Sequence, residues 1–357
     1  YQCLHTSLLV GLFAVSCINL HPIYSFGRFM STTFQNDCFK KVLMLVYFGL
    51  CTKEFSMKVL FYSSVNIDMV FHVDHIVAPG ETQSSFGVSV GAGGKGANQA
   101  AALAKALNCV DGPTVYLAGK CGDDGKFILD KLSGFGVDVS YMRRASCGTG
   151  QAIIQVDKDG QNSIILYGGG NQRIERDEVD KTLSFFSNDD VLCVNCEIND
   201  LGYVIDSAYE KGMRIFLNPS PVNEVLSQID FSKVSALVVN EVEGAALARL
   251  EGGAAYEDVI EALSLRWPSC EVVMTVGGDG AYYSFQRQTL KVSAVKTCVV
   301  DTTAAGDTFM GYFVASRLNG MNAEDSLKRA GLASSITVSR PGAMDSIPFG
   351  NEVGVLR

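Results

Sequence analysis

From Met57 onward, short runs of β-branched and apolar residues alternate with longer segments of helical periodicity: Val115–Ala118, Asp190–Val194, Arg214–Leu217, Ala236–Val239 and Val272–Val276 are the clearest runs. Continuous apolar runs of that length read as strands buried on both faces, the habit of parallel sheets. Between them, Asp123–Ser133, Asn199–Lys211 and Tyr256–Leu265 carry helical patterning. The alternation predicts an α/β fold: a doubly wound, mostly parallel sheet flanked by helices, with ligands gathered at the carboxyl ends of the strands. Two stretches break the rhythm. Residues 69–90 and 149–167 are patterned as strands, with Asp157-Lys-Asp-Gly160 as a hairpin turn.

Composition narrows the partners. A net charge of −9 argues against non-specific nucleic-acid binding, which needs a basic face. Any polyanionic ligand must then be met by local positive charge and backbone amides. The 11 cysteines are an odd number, spread without a paired framework, which suits reduced thiols in a reducing compartment such as the cytoplasm. Cys193 and Cys196 have the C-x-x-C spacing of a redox or metal pair. They lie in an apolar strand with no second pair and no nearby His, so core packing is the better reading.

Residues 1–56 stand apart. Residues 1–27 hold no Asp, Glu, Lys or Arg, and the apolar run Ser7–Leu20 is too short for a confident membrane span. It also lacks the basic start of a signal peptide. The expectation is an N-terminal extension, either a targeting segment or a gene-model artefact, ahead of one domain over 57–351 that needs no membrane.

Two glycine-containing segments carry the chemistry. Asp301-Thr-Thr-Ala-Ala-Gly-Asp-Thr-Phe309 precedes apolar residues at helical spacing, namely Met310, Phe313, Val314 and Leu318. A small-residue turn opening a helix offers unpaired amides backed by the helix dipole, an anion site, with Gly306 expected to make the turn. Asp307 at the same helix start is either a helix cap or a base or water-mediated metal ligand beside a phosphate. The second segment, Gly91-Ala-Gly-Gly-Lys-Gly-Ala-Asn-Gln-Ala100, permits close backbone approach and sets Asn98 in an alanine-rich helix. It is neither a Walker A loop nor a dinucleotide fingerprint.

With the Gly91–Ala100 segment ahead of the Asp301–Phe309 segment by about two hundred residues, these motifs resemble those of the ribokinase-like (PfkB) carbohydrate kinase family. Ser64-Val-Asn66-Ile-Asp68, Pro79-Gly-Glu81-Thr, Leu217-Asn-Pro-Ser-Pro221, Asn240-Glu-Val-Glu243 and Ser339-Arg-Pro-Gly342-Ala extend the resemblance over roughly residues 57–350. It implies an ATP-dependent kinase that phosphorylates the primary hydroxyl of a sugar, D-ribose giving ribose 5-phosphate, with Mg²⁺ and K⁺ as cofactors. Another furanose or a nucleoside (fructose, deoxyribose, adenosine) is the alternative substrate, and an inactive sugar-binding module the alternative class. The strand-patterned stretches become a β-sheet lid that pairs two subunits into a homodimer.

The resemblance also implies roles residue by residue. Asn66, Asp68, Gly94, Lys95, Asn98 and Glu197 would bind the sugar. Asp307 would take its proton, with the amides of Ala304, Ala305 and Gly306 on the moving phosphoryl. Asn240, Glu243, Thr275, Gly277, Gly278, Asp279 and Gly280 would serve ATP and its Mg²⁺. Asp301, Thr303, Thr337, Arg340, Gly342 and Ser346 would form the potassium loop. Val239, Gly331 and Pro341 depart from the family pattern.

Overall fold

The structure is a computed structural model that describes residues 57–107 and 112–354. The expectations for residues 1–56 lie outside the described residues.

The chain enters the main sheet with β1 (Lys58–Tyr62) and leaves it at once for β2 (Asn66–His72) and β3 (Gly87–Gly93). Helix α1 (Lys95–Leu107) leads back to β4 (Thr114–Cys121), α2 (Lys126–Gly134) and β5 (Val137–Arg144). A second excursion follows as β6 (Gly150–Val156) and β7 (Asn162–Tyr167), then α3 (Arg176–Leu183). From there strands and helices alternate: β8 (Val191–Asn195), α4 (Leu201–Glu210), β9 (Arg214–Asn218), β10 (Ala236–Asn240), α5 (Glu241–Ala248), α6 (Tyr256–Arg266) and β11 (Glu271–Thr275). An antiparallel hairpin, β12 (Ala281–Phe285) and β13 (Gln288–Val292), precedes α7 (Ala305–Leu318) and α8 (Ala323–Val338).

Nine strands form the main sheet in the order β13-β12-β11-β10-β9-β8-β1-β4-β5, parallel from β11 through β5. The expected doubly wound, mostly parallel sheet is therefore present. The order reverses at β1, which lies between β8 and β4, so the switch point where such sheets bind ligands falls beside the ends of β1 and β8. The lid is a four-stranded sheet ordered β3-β2-β6-β7. It begins earlier than residue 69, because Asn66 and Asp68 already pair with Gly93 and Gly91 in β3. The turn between β6 and β7 closes at Asp157–Gly160 as its sequence predicts.

Alternate residues of the central strands enter two cores. Val59, Phe61, Cys193, Phe216 and Val238 face α1, α7 and α8, whereas Leu60, Tyr62, Leu192, Val194 and Leu217 face α4 and α6. On the first face α1 and α7 approach closely. A Cβ on Gly311 of α7 would lie 2.5 Å from the Ala102 Cβ of α1. Alanines on α1 and glycine on α7 thus let two helices meet whose side chains build the site.

Candidate active site

Ala304 is the N-cap of helix α7; it takes the left-handed conformation (φ 62°), and its carbonyl accepts the Thr308 amide at 2.8 Å. This corrects the expectation that Gly306 makes the turn. Gly306 sits inside the first helical turn, and a Cβ there would meet nothing within 4 Å beyond its own helix backbone and chain neighbours. Its missing side chain leaves open the space before the first-turn amides, which have no partner within a helix. Of the three amides expected on a phosphoryl group, that of Ala305 is already donated to the Thr302 carbonyl at 3.2 Å.

Asp307 is not the cap. Its carboxylate turns away from its own helix toward α1, where Asn98 Nδ2 donates to Oδ2 at 3.0 Å and Gln99 Nε2 donates to Oδ1 at 2.9 Å. The group is buried at 8% exposure, and that burial pushes its pKa above the ordinary carboxylate value. The Lys95 ammonium and the two amide donors oppose the rise. A buried carboxylate held by neutral donors, with a cation nearby, is equipped to accept a proton.

The switch point gathers residues expected to bind sugar around the start of α1. Ser64, just after β1, donates through Oγ to Glu197 Oε2, which also accepts the Lys95 amide at 3.2 Å. Glu197 is half-buried and bridges the ends of β1 and α1 rather than standing exposed at a helix start. Burial raises its pKa, and the Ser64 hydroxyl and Lys95 charge oppose the rise. Asp68 projects from β2, its pKa pushed up to about 7 by burial and then by the charges of Glu197 and Asp307. A Cβ on Gly93 would lie 2.0 Å from Asp68 Oδ2 and could be placed only by moving that carboxylate, while one on Gly94 (φ 94°) would lie 2.7 Å from the Asn66 backbone amide, so glycine is required at 94. The Asn66 side-chain oxygen Oδ1 accepts Asn171 Nδ2 at 2.8 Å. Buried Asn171 also exchanges bonds with the Val65 backbone and thereby ties β1's exit to the lid.

The nucleotide residues divide into two groups. Thr275, Gly277, Gly278 and Gly280 line a cleft of about 630 Å³ that reaches Thr302, Ala305, Gly306 and Gly331. Gly280 (φ 109°) is needed there, since a Cβ would fall 1.9 Å from the Val292 carbonyl oxygen. Asp279 is outside this lining and its carboxylate interacts with Tyr256. Asn240 and Glu243 are also outside it and form a reciprocal cap on α5: Glu243 N to Asn240 Oδ1 at 2.7 Å, Asn240 N to Glu243 Oε2 at 3.0 Å. Glu243 nevertheless acts electrostatically on both Lys95 and Asp307.

The segments expected to hold potassium are strapped together. Asp301 accepts the Thr303 amide and hydroxyl at 2.8 and 2.6 Å, and the Gly342 amide at 2.9 Å. Burial works against this carboxylate, but these donors hold its pKa below the ordinary value. Thr337 is buried with its hydroxyl 3.0 Å from that of Thr308, and its carbonyl accepts the Arg340 amide. The Arg340 guanidinium pairs outward with Glu352, and the Ser346 hydroxyl donates to the Ala343 carbonyl. Cys193 and Cys196 are free, buried thiols whose pKa values burial raises, so the core-packing reading of that pair holds.

Sequence reasoning missed Gln99, Asn171, Ser64 and Gly93. Gln99 and Gly93 lie inside the glycine-rich motif and Ser64 heads the Ser64–Asp68 motif, so adjacency was the available signal. Asn171 follows a run of three glycines and carries none.

A family model described as pfkB family carbohydrate kinase matches residues 56–349. The ribokinase of Staphylococcus aureus is 35% identical over 318 residues, covering 83% of this chain and 98% of that protein. The crystal structure of Cryptococcus neoformans ribokinase in complex with ADP superimposes with a TM-score of 0.74 at 33% identity, covering 84% of this chain and 98% of that one. The structure of Arabidopsis thaliana ribokinase complexed with ribose and ATP gives a TM-score of 0.73 at 28% identity, covering 84% and 97%.

Proposed function

This chain belongs to the pfkB family of carbohydrate kinases, and we propose that it transfers the terminal phosphoryl group of ATP to the primary hydroxyl of D-ribose, giving ribose 5-phosphate and ADP. The observation that carries the reading is the meeting of two sites at adjacent residues. Gly306 lines the open cleft, while the carboxylate of Asp307 faces Lys95 and the Asp68–Glu197 pocket. An acceptor hydroxyl and a nucleotide phosphate are thereby brought to one helix start.

In this reading Asp68 accepts two sugar hydroxyls, as a carboxylate can, and Asn66, Asn98, Lys95 and Glu197 orient the ring. Asp307 takes the proton of the attacking hydroxyl as the new O–P bond forms and the bond to the ADP oxygen breaks. Gly306 and its first-turn neighbours offer amides to the phosphoryl oxygens, so the protein contributes position and electrostatics rather than a covalent intermediate. Asp307, Glu197 and Glu243 all act on the Lys95 ammonium, and Asp68 lies within reach of Glu197 and Asp307, an excess of negative charge that suits a divalent cation arriving with the phosphates. Mg²⁺ would be held by those phosphates and, through water, by Glu243, and would neutralise charge on the nucleotide. Among the described residues no cluster of three or more His, Cys, Asp or Glu could hold a metal by itself. Potassium would rely on backbone oxygens around the Asp301–Gly342 strap, which fits a weakly hydrated monovalent ion.

We further infer a homodimer through the lid. Phe86, Val88, Val90, Ile164, Ile165 and Leu166 are between 49% and 71% exposed, an apolar surface that a second lid would cover. No helix among the described residues is long and apolar enough to cross a membrane, and the free thiols suit the reducing cytoplasm. A substrate panel tests the proposal: full-length protein with ATP and Mg²⁺ is offered D-ribose, deoxyribose, fructose and adenosine. D-Ribose should give the highest kcat/KM, and a tenfold preference for another acceptor would overturn the assignment.

A further inference from the structure

Gln99 spends both of its amide hydrogens in one direction. Nε2 donates to Asp307 Oδ1 at 2.9 Å and to Asn218 Oδ1 at 3.0 Å. Asn218, at the end of β9, in turn donates through Nδ2 to the Val238 carbonyl of β10 at 2.9 Å. A chain of three hydrogen bonds therefore runs from the sheet backbone to the Asp307 carboxylate. Asn98, the preceding residue on α1, secures the second carboxylate oxygen. The opposite ends of both amides are left bare: Asn98 Oδ1 and Gln99 Oε1 are buried acceptors without a partner. Gln99 itself is 1% exposed. Buried polar atoms in a stable core are almost always paired, and an orphan costs free energy. A side chain selected for packing would be apolar here, so the orientation of these amides serves the carboxylate.

We propose that Gln99, pinned by Asn218 to β10, is a positioning residue that fixes the plane of the Asp307 carboxylate toward the acceptor hydroxyl. The inference rests on Asp307 being the base. An amide NH₂ presents its two hydrogens at a fixed angle, so a Gln99 held by Asn218 can meet Asp307 from one direction only. With Asn98 on the other oxygen, the carboxylate cannot rotate about its Cβ–Cγ bond without breaking both contacts. One lone pair on each oxygen is thus committed to α1 and the remainder face the site.

The test compares Gln99→Leu, Asn218→Ala and the double variant by steady-state kinetics with D-ribose, ATP and Mg²⁺, beside Asp307→Asn. Loss of alignment predicts that Gln99→Leu lowers kcat by about 10- to 100-fold, the scale on which a small misplacement of a reacting group acts. KM for ribose and for ATP should stay within about threefold, a split that simple loss of folded protein or of a binding surface would not give. Because Asn218 acts through Gln99, the double variant should be no slower than Gln99→Leu within about twofold. Unchanged kcat in Gln99→Leu, or losses that multiply in the double variant, would overturn the proposal. If Gln99→Leu does not fold, Gln99→Met keeps the chain length and is read by the same criteria. Near-normal turnover in Asp307→Asn would remove the base, and this inference with it. An inactive Asp307→Asn beside a fully active Gln99→Leu would remove the inference alone.

Discussion

Lowering the pH from 8 to 6 should release ribose, and Asp68 is the reason. Its pKa stands at about 7 because burial disfavours the charge and because Glu197 and Asp307 add negative potential. Only the ionised carboxylate offers acceptors to two sugar hydroxyls without a proton of its own in the way. The direction follows from the raised pKa: as pH falls through 7, Asp68 takes up a proton and loses acceptor capacity. For a pKa near 7 the ionised fraction drops from about 0.9 at pH 8 to about 0.1 at pH 6, so the ribose dissociation constant should rise roughly tenfold. The rise is shallow above pH 7, about twofold by pH 7, and steepens to roughly tenfold per pH unit below it. Isothermal titration calorimetry with ribose alone isolates this effect from the proton transfer at Asp307, which enters only in turnover. Asp68→Asn should bind weakly and with a flat profile over the same range. A wild-type dissociation constant constant from pH 6 to 8 would refute the reasoning, as would an unchanged slope in Asp68→Asn.

Three further outcomes are expected. Gly93→Ala sets a methyl group where Asp68 Oδ2 now lies, 2.0 Å from the ideal Cβ, so ribose affinity should fall at least ~10-fold with ATP affinity within a few-fold; equal loss of both by calorimetry would refute it. Gly311→Ala forces α1 and α7 apart at Ala102 and Leu103 and should cost about 1–3 kcal/mol, read as a lower Tm, whereas an unchanged Tm would show that the contact has slack. Exchanging sodium for potassium at constant ionic strength should raise kcat several-fold by ordering the Asp301–Gly342 strap before α7, and identical rates in the two salts would exclude a potassium site there.

The parallel strands were legible in the sequence because burial on both faces leaves continuous apolar runs, as at Val191–Val194 and Val272–Met274. The site was legible where function needs a local motif, as in the small-residue turn at Ala304–Gly306. What escaped was set by tertiary contact. Gln99 serves a carboxylate 208 positions away, and nothing in a helical pattern says which polar residue on α1 faces α7. Asn171 works through the Val65 backbone, 106 residues earlier. The positive φ fell on Ala304 because the chain's path into α7 overrides alanine's local preference, while the glycine two residues later is kept for the space in front of it. The antiparallel hairpin of β12 and β13 was not anticipated, since neither strand has the continuous apolar run of its parallel neighbours.

The most direct test of the account is the turnover of Asp307→Asn. The substitution keeps size, exchanges one of the two acceptor oxygens for an amide donor, and removes the proton acceptor that Asn98 and Gln99 hold at the junction of the two ligand sites. Loss of a general base predicts a fall in kcat of at least ~100-fold, with the calorimetric dissociation constants for ribose and ATP within about threefold of wild type. Turnover within a few-fold of wild type would contradict the account.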